Sequence, residues 1–237
     1  METELNVLVL SAVSIGFIHT LFGPDHYVPF VMMAKARKWS KIKTTWITFL
    51  CGIGHVAGSR LLGILGITIG IALTSLETFE SIRGELAAWF LIAFGLAYFA
   101  WGLRKAYKNK PDSHPHFHED GTTHNHEHNH HHSHAHAHTS TKKEITPWIL
   151  FTIFVLGPCE PLIPLLMFPA ANGSWTDILL VTGAFGMVTI ATMIPAVLAL
   201  LYGIHYLPKK ISLERYMHAI AGATISLCGV AIQFLGL

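Results

Sequence analysis

Long apolar runs separated by short polar segments dominate the sequence. They span residues 5–34, 44–73, 85–103, 147–171, 177–204 and 211–237. A run of about 18 or more apolar residues is long enough to cross a bilayer as a helix. None of the runs alternates like the roughly ten-residue strands of a membrane β-barrel. The pattern predicts an all-α integral membrane protein with six transmembrane helices.

The first run is interrupted by Gly23-Pro24 and carries ionisable side chains around the interruption, His19, Asp25 and His26. Proline lacks the N–H that a helix interior needs, so a broken helix is expected at this dipeptide. Ionisable groups at membrane depth cost about 2.5–3.5 kcal/mol each and usually face a functional interior. Imidazole with carboxylate suits a divalent transition metal. The alternative interpretation is a Pro-kinked helix in which these side chains only pair with one another.

The second half of the chain echoes the first. The segment GPCEPLIP, residues 157–164, resembles GPDHYVP at 23–29, and GMV at 186–188 resembles GHV at 54–56. A second broken helix is therefore expected at Gly157-Pro158. Because each half has three spans, the halves would be inverted repeats, an arrangement typical of transporters with a site between the halves. The predicted units are a first repeat at 1–107, a His-rich loop at 108–146 and a second repeat at 147–237.

Equivalent positions in the two halves give a set of candidate metal ligands at membrane depth. Cys159 and Glu160 occupy the places of Asp25 and His26, and His55 lies among small residues in the second span. A core histidine bonded to a neighbouring carbonyl is the alternative for His55, and pairing with an arginine is the alternative for Glu160. The predicted ligands are His19, Asp25, His26, His55, Cys159 and Glu160.

The segment 114–138 is a low-complexity tract that lacks the apolar residues needed to fold, so it is expected to be disordered when empty. Dense histidine in a short tract is typical of metal binding. A solvated spacer is the alternative. The residues predicted to capture metal are His114, His116, His118, His124, His126, His128, His130, His131, His132, His134, His136 and His138.

Charge distribution predicts the orientation. Only 13% of residues are charged and 51% are hydrophobic. Of the 16 lysines and arginines, 14 fall on one side, in the three inter-span segments or at the start of the sixth span. Basic loops stay in the cytoplasm. The sequence therefore predicts a protein of the cytoplasmic (inner) membrane with both termini outside and the His-rich loop inside.

Motifs for other chemistries are missing from the sequence. It contains three cysteines far apart and no CxxC pair, and it contains no ATP-binding motif. The net charge of +2 is explained by the basic loops and does not indicate nucleic-acid binding. We expect no enzymatic activity and no nucleic-acid partner.

The His19…Asp25-His26 motif and the Gly54-His55 pair resemble those of the nickel/cobalt transporter superfamily, including its urease-accessory-like membrane proteins. The spacing here is His-x5-Asp-His, whereas that superfamily usually has His-x4-Asp-His. The resemblance implies transport of a divalent metal, nickel or cobalt first and zinc next, with no tightly bound cofactor. The expected partners are the lipid bilayer, divalent metal ions and a metallochaperone or a second copy of the chain.

GPCEPLIP also resembles the Pro-Cys motif of small membrane thiol-disulfide carriers of cytochrome c biogenesis. Those carriers have a cysteine in each half, and the equivalent first-half residue here is Asp25. The alternative function is therefore a membrane thiol or electron carrier that uses Cys159 with Cys51 or Cys228.

Overall fold

The computed structural model describes residues 2–108, 112–117, 123–128, 145–159, 161–205 and 211–235. For residues 2, 112–117, 123–128, 205 and 211–213 it describes the backbone alone. The prediction for Glu160 falls outside these residues.

Eight α-helices and one short hairpin make up the described chain. They are α1 (Glu2–Phe22), α2 (Val28–Arg37), α3 (Lys41–Thr68), α4 (Leu73–Lys108), β1 (Asp112–Phe117), β2 (Thr123–His128), α5 (Thr146–Leu156), α6 (Leu162–Ala171), α7 (Trp175–His205) and α8 (Ile211–Leu235). Among them α1, α3, α4, α7 and α8 are long and apolar enough to cross a membrane, whereas α5 and α6 are shorter apolar helices. The prediction of an integral membrane protein built from helices is confirmed.

Both predicted interruptions are present, and proline explains each. Helix α1 ends at Phe22, and a single 3-10 turn, Pro24–His26, leads into α2. Pro29 lies in the first turn of α2, where a missing N–H costs nothing. In the second half α5 ends at Leu156, and α6 begins only after Pro161.

Helix α4 is longer than predicted. The apolar pattern predicts a third span at 85–103, but α4 begins at Leu73. The predicted start is wrong because Glu80 and Arg83, which precede it, pair with each other within the helix. Three extra turns bring Glu80, which is 0% exposed, and Arg83 into the protein.

Glycines set the close packing of α4 against α8. A Cβ on Gly95 would meet the backbone of Ser226, and one on Gly222 would meet the backbone of Phe99. Small residues at such crossings let two helix backbones approach closely, which is how membrane helices gain packing energy.

Two strands lie inside the His-rich tract, for which disorder was expected. β1 and β2 pair as an antiparallel hairpin. In its backbone register His114 is the partner of His126, and His116 is the partner of His124. Backbone pairing does not require an apolar core, which is the feature whose absence suggested disorder. The histidine side chains of the tract lie outside the described part, so their capture of metal stays a prediction.

Candidate functional site

Three histidines from three different elements meet at the first helix break. His19 lies in the last turn of α1, His26 in the 3-10 turn and His55 in the middle of α3. Their ring centroids are 4.9 Å apart for His19–His26 and 5.0 Å apart for His26–His55. One ring nitrogen of each lies within 4.8 Å of the others. The structure thus brings together imidazoles that are far apart in the sequence.

Hydrogen bonds orient two of the rings. Nδ1 of His26 lies 3.1 Å from the carbonyl oxygen of Gly23 and 3.1 Å from Oδ1 of Asp25. Nδ1 of His55 lies 3.3 Å from the carbonyl oxygen of Phe154. Since these neighbours only accept, Nδ1 is assigned as the N–H donor in both rings, which leaves Nε2 with its lone pair.

Two of the remaining nitrogens lack a partner. Nε2 of His19 and Nε2 of His26 are buried and have no hydrogen-bond partner among the residues that the structure describes. A buried polar atom without a partner costs about 1–3 kcal/mol. Such atoms in a group point to a ligand-binding role rather than to packing alone.

The second helix break brings a thiol to the same place. Cys159 lies between α5 and α6 and is 0% exposed, and its Sγ is 3.3 Å from Nε2 of His55. With Nδ1 of His55 already donating, the thiol donates to Nε2. This contact joins Cys159 to His55 of α3, whose ring centroid lies 5.0 Å from that of His26 in the first break.

An ion pair that the sequence reading missed supports this second break. The Arg83 guanidinium donates to Glu80 Oε1 at 2.6 Å and to the carbonyl oxygens of Val155 and Gly157 at 3.1 and 3.0 Å. The Cys159 N–H donates to Ser59 Oγ at 3.1 Å. These contacts satisfy backbone groups that the broken helix leaves free, which is needed at membrane depth.

The feature in the sequence that would have revealed this pair is the i,i+3 spacing of Glu80 and Arg83 just ahead of Gly84. A Cβ on Gly84 would lie 2.8 Å from Pro158, so the glycine lets α4 approach the second break. Gly58 of α3 does the same, because its Cβ would lie 2.7 Å from the carbonyl oxygen of Val155.

A cavity of about 280 Å³ adjoins the imidazoles. Its lining includes all three histidines, Asp25, Gly157 and Pro158, together with apolar side chains of α4 and α5. Cys159 lies behind His55 and does not line it. The cavity gives the site room for a small ligand next to the rings.

The histidine of α8 lies away from these three. His218 bonds to the Tyr98 hydroxyl at 2.8 Å and to Lys105 at 3.0 Å, away from the site. The side chain of His205 lies outside the described part.

The sequence echo at 186–188 suggested Met187 as the counterpart of His55, but Met187 is 73% exposed. Thr189 is buried and follows Pro158 by 31 residues, the same separation as that of His55 from Pro24.

All three cysteines of the sequence are described, and each is free and buried. Cys51 lies one helical turn before His55 on α3, and Cys228 lies on α8, one turn before the cavity-lining Ile232. Both belong to the apolar core around Phe30 and Phe154.

A comparison with protein families decides between the two resemblances. The model of the family described as "Cytochrome C biogenesis protein transmembrane region" matches residues 27–231, which is most of the chain. The chain belongs to this family. No curated protein and no solved structure matches it.

The assignment to the nickel/cobalt transporter superfamily is therefore wrong, and transport of nickel or cobalt is overturned with it. The motifs that suggested it are short, and their spacing differs from that superfamily's by one residue. The resemblance of GPCEPLIP to the Pro-Cys motif of cytochrome c biogenesis carriers identified the correct relationship. The family match begins directly after His26, so His19, Asp25 and His26 lie outside it while the three cysteines lie within.

Proposed function

We propose that the protein is a membrane carrier of thiol or electron equivalents, with Cys159 as its reactive sulfur. One observation carries the proposal: Cys159 lies at the broken helix of a cytochrome c biogenesis family member, with its Sγ 3.3 Å from an imidazole nitrogen. A thiolate, not a thiol, attacks disulfides, and a nearby base produces the thiolate. His55 is that base.

The exchange transfers two electrons. The thiol proton passes to Nε2 of His55, and the Cys159 thiolate attacks one sulfur of an oxidised dithiol partner. The partner's disulfide breaks as the mixed disulfide forms, and its other sulfur leaves as a thiolate that takes a proton. A second thiol of this chain, Cys51 or Cys228, then attacks Cys159 and releases the reduced partner. The internal disulfide that results is reduced by a dithiol donor.

The buried position of Cys159 implies motion in this cycle. The thiol is 0% exposed, so a partner reaches it only after the interruption between α5 and α6 opens. Helix ends at such interruptions absorb large backbone changes. The cavity beside Gly157 and Pro158 offers space into which the segment moves.

We also propose that α5 and α6 together form a sixth span and that the two halves are inverted repeats. Exchanging the halves pairs α1 with α5, α2 with α6, α3 with α7 and α4 with α8. Under this exchange several helix contacts come in matched pairs: α1 packs on α7 as α5 packs on α3, and α2 packs on α8 as α6 packs on α4. This matching supports the repeat independently of the sequence echo.

The basic residues further support a cytoplasmic location of the His-rich tract and outside termini. A reporter enzyme that works only in the cytoplasm is expected to be active when it is inserted after Asn125. Activity of a periplasm-specific reporter at that position would reverse the orientation.

Trapping the redox state of the cysteines in membranes tests the proposed carrier. Acid quenching followed by alkylation with a bulky maleimide should show Cys159 partly oxidised in the wild-type chain and reduced after dithiothreitol. In Cys51→Ser and Cys228→Ser variants, the oxidised form should disappear only when the true partner is removed. A Cys159 that stays fully reduced under all growth conditions would contradict the proposal.

A further inference from the structure

We infer that His19, His26, His55 and Cys159 bind one closed-shell transition-metal ion, Zn²⁺ or Cu⁺. The inference goes beyond the carrier function, with which it shares Cys159. It rests on the geometry of side chains from both helix breaks and α3. Two of its ligands, His19 and His26, lie outside the segment matched by the family.

The first argument is the direction of the lone pairs. The hydrogen bonds of Nδ1 in His26 and His55 leave both Nε2 atoms as potential ligands. Nε2 of His19 is the third, and it shares with Nε2 of His26 the lack of any partner in the described chain. An ion at this place would satisfy both buried atoms at once. A bare imidazole cluster would leave them unpaired.

The second argument is the distance of the sulfur. A tetrahedral zinc site has bonds of about 2.0–2.1 Å to nitrogen and about 2.3 Å to sulfur, which separates the two ligands by roughly 3.5 Å. The observed distance from Cys159 Sγ to His55 Nε2 is 3.3 Å. One ring nitrogen of each histidine lies within 4.8 Å of those of the other two, and Cys159 is not within that distance of all three, so its side chain must shift toward the rings to complete the site. Three nitrogens and a thiolate are a ligand set that suits Zn²⁺ and Cu⁺.

The third argument is the surrounding shell. Metal-bound histidines usually donate their other N–H to a carboxylate or a backbone carbonyl, which fixes the ring. Asp25 and the Gly23 carbonyl serve His26 in this way, and the Phe154 carbonyl serves His55. The Cys159 thiolate and the Asp25 carboxylate also offset the charge of a divalent ion, as a site in the membrane interior requires.

Metal binding and disulfide formation then exclude each other at Cys159. A sulfur in a disulfide has no thiolate to offer, and a thiolate bound to metal is a poor nucleophile. Occupancy of the site therefore holds the carrier in its reduced, inactive form.

Cobalt(II) titration of the purified full chain in detergent tests the site. Thiolate bound to Co²⁺ gives a sulfur-to-cobalt charge-transfer band that imidazole ligands do not give. The His-rich tract, 114–138, contains no cysteine, so its cobalt binding stays silent in this band. The wild-type chain should develop the band as cobalt is added, and Zn²⁺ or Cu⁺ should displace the cobalt and abolish it.

Matched variants assign the ligands. Cys159→Ser, His19→Gln and His26→Gln should each lose the band, while His218→Gln and Cys51→Ser should keep it. Asp25→Asn should weaken cobalt binding by about 10–100-fold, the usual effect of losing an orienting partner. Size-exclusion profiles and melting curves confirm that each variant is folded.

A folded wild-type chain without the band, or a band that persists in the His19 and His26 variants, would overturn the inference. That outcome leaves the carrier function standing, because redox trapping of Cys159 is carried out without added metal. The converse result, a metal site with a Cys159 that stays reduced in membranes even after a chelator has removed the metal, would refute only the carrier.

Discussion

Replacing Arg83 with methionine is expected to prevent most of the protein from accumulating in the membrane. The change removes the oppositely charged partner of the Glu80 carboxylate, which is 0% exposed, and takes away the Arg83 donor from the carbonyl oxygens of Val155 and Gly157. Breaking a buried pair by removing one partner costs about 3–5 kcal/mol. The lower end applies here because Arg83 keeps 18% exposure. Immunoblots of membranes and thermal unfolding in detergent measure the loss.

A second change in the same chain separates the charge effect from loss of packing. Glu80→Gln removes the buried negative charge, so the double variant Arg83→Met, Glu80→Gln should recover part of the lost accumulation. Arg60→Met serves as the control, because Arg60 lies half-exposed on α3 and should tolerate the change. Normal accumulation of Arg83→Met would show that the second break needs no support from α4.

Replacing His55 with glutamine is expected to slow thiol exchange at Cys159 by at least about 10²-fold, the lower end of the range for general base catalysis. Glutamine fills a similar space and bonds to the thiol but does not take its proton. The rate of mixed-disulfide formation with a small aromatic disulfide, followed by release of the coloured thiol, measures the effect. The cysteines at 51 and 228 are replaced by serine so that only Cys159 reacts.

The pH dependence of the exchange rate shows whether His55 acts as the base. Without an internal base the reaction depends on free thiolate, whose fraction rises about tenfold per pH unit while the thiol is mostly protonated. The His55→Gln rate should therefore rise more steeply with pH than the wild-type rate. His218 lies on α8 and bonds to Tyr98 of α4, so His218→Gln should leave the rate and its pH profile unchanged. Equal exchange rates for His55→Gln and His218→Gln would show that His55 is not the base.

Local chemistry made much of the fold predictable from the sequence. Long apolar runs indicated the helices. Gly-Pro dipeptides indicated both interruptions, because proline lacks the backbone N–H that a helix interior needs. The same reasoning failed for α4. Glu80 and Arg83 lie ahead of the predicted start of the third span at residue 85, but each bonds to groups distant in sequence, Ser59 on α3 and the carbonyls at the end of α5.

The residues of the candidate site could be predicted from the sequence, but their chemistry could not. His19, His26, His55 and Cys159 were identified because ionisable or reactive groups are costly at membrane depth, and the structure brings them together. The prediction of nickel or cobalt transport was wrong because short motifs of histidine and aspartate are common to unrelated metal proteins. Ring orientation and the support of Arg83 depend on tertiary contacts, which no local pattern encodes.

Transfer of reducing equivalents across a sealed membrane tests the central claim most directly. The full chain is reconstituted into vesicles that enclose a disulfide reporter, and an impermeant protein dithiol is added outside. We predict that the reporter is reduced in vesicles with the wild-type chain and not in vesicles with an equal amount of folded Cys159→Ser. Equal reduction in the two preparations, or reduction that persists when all three cysteines are serine, would contradict the account.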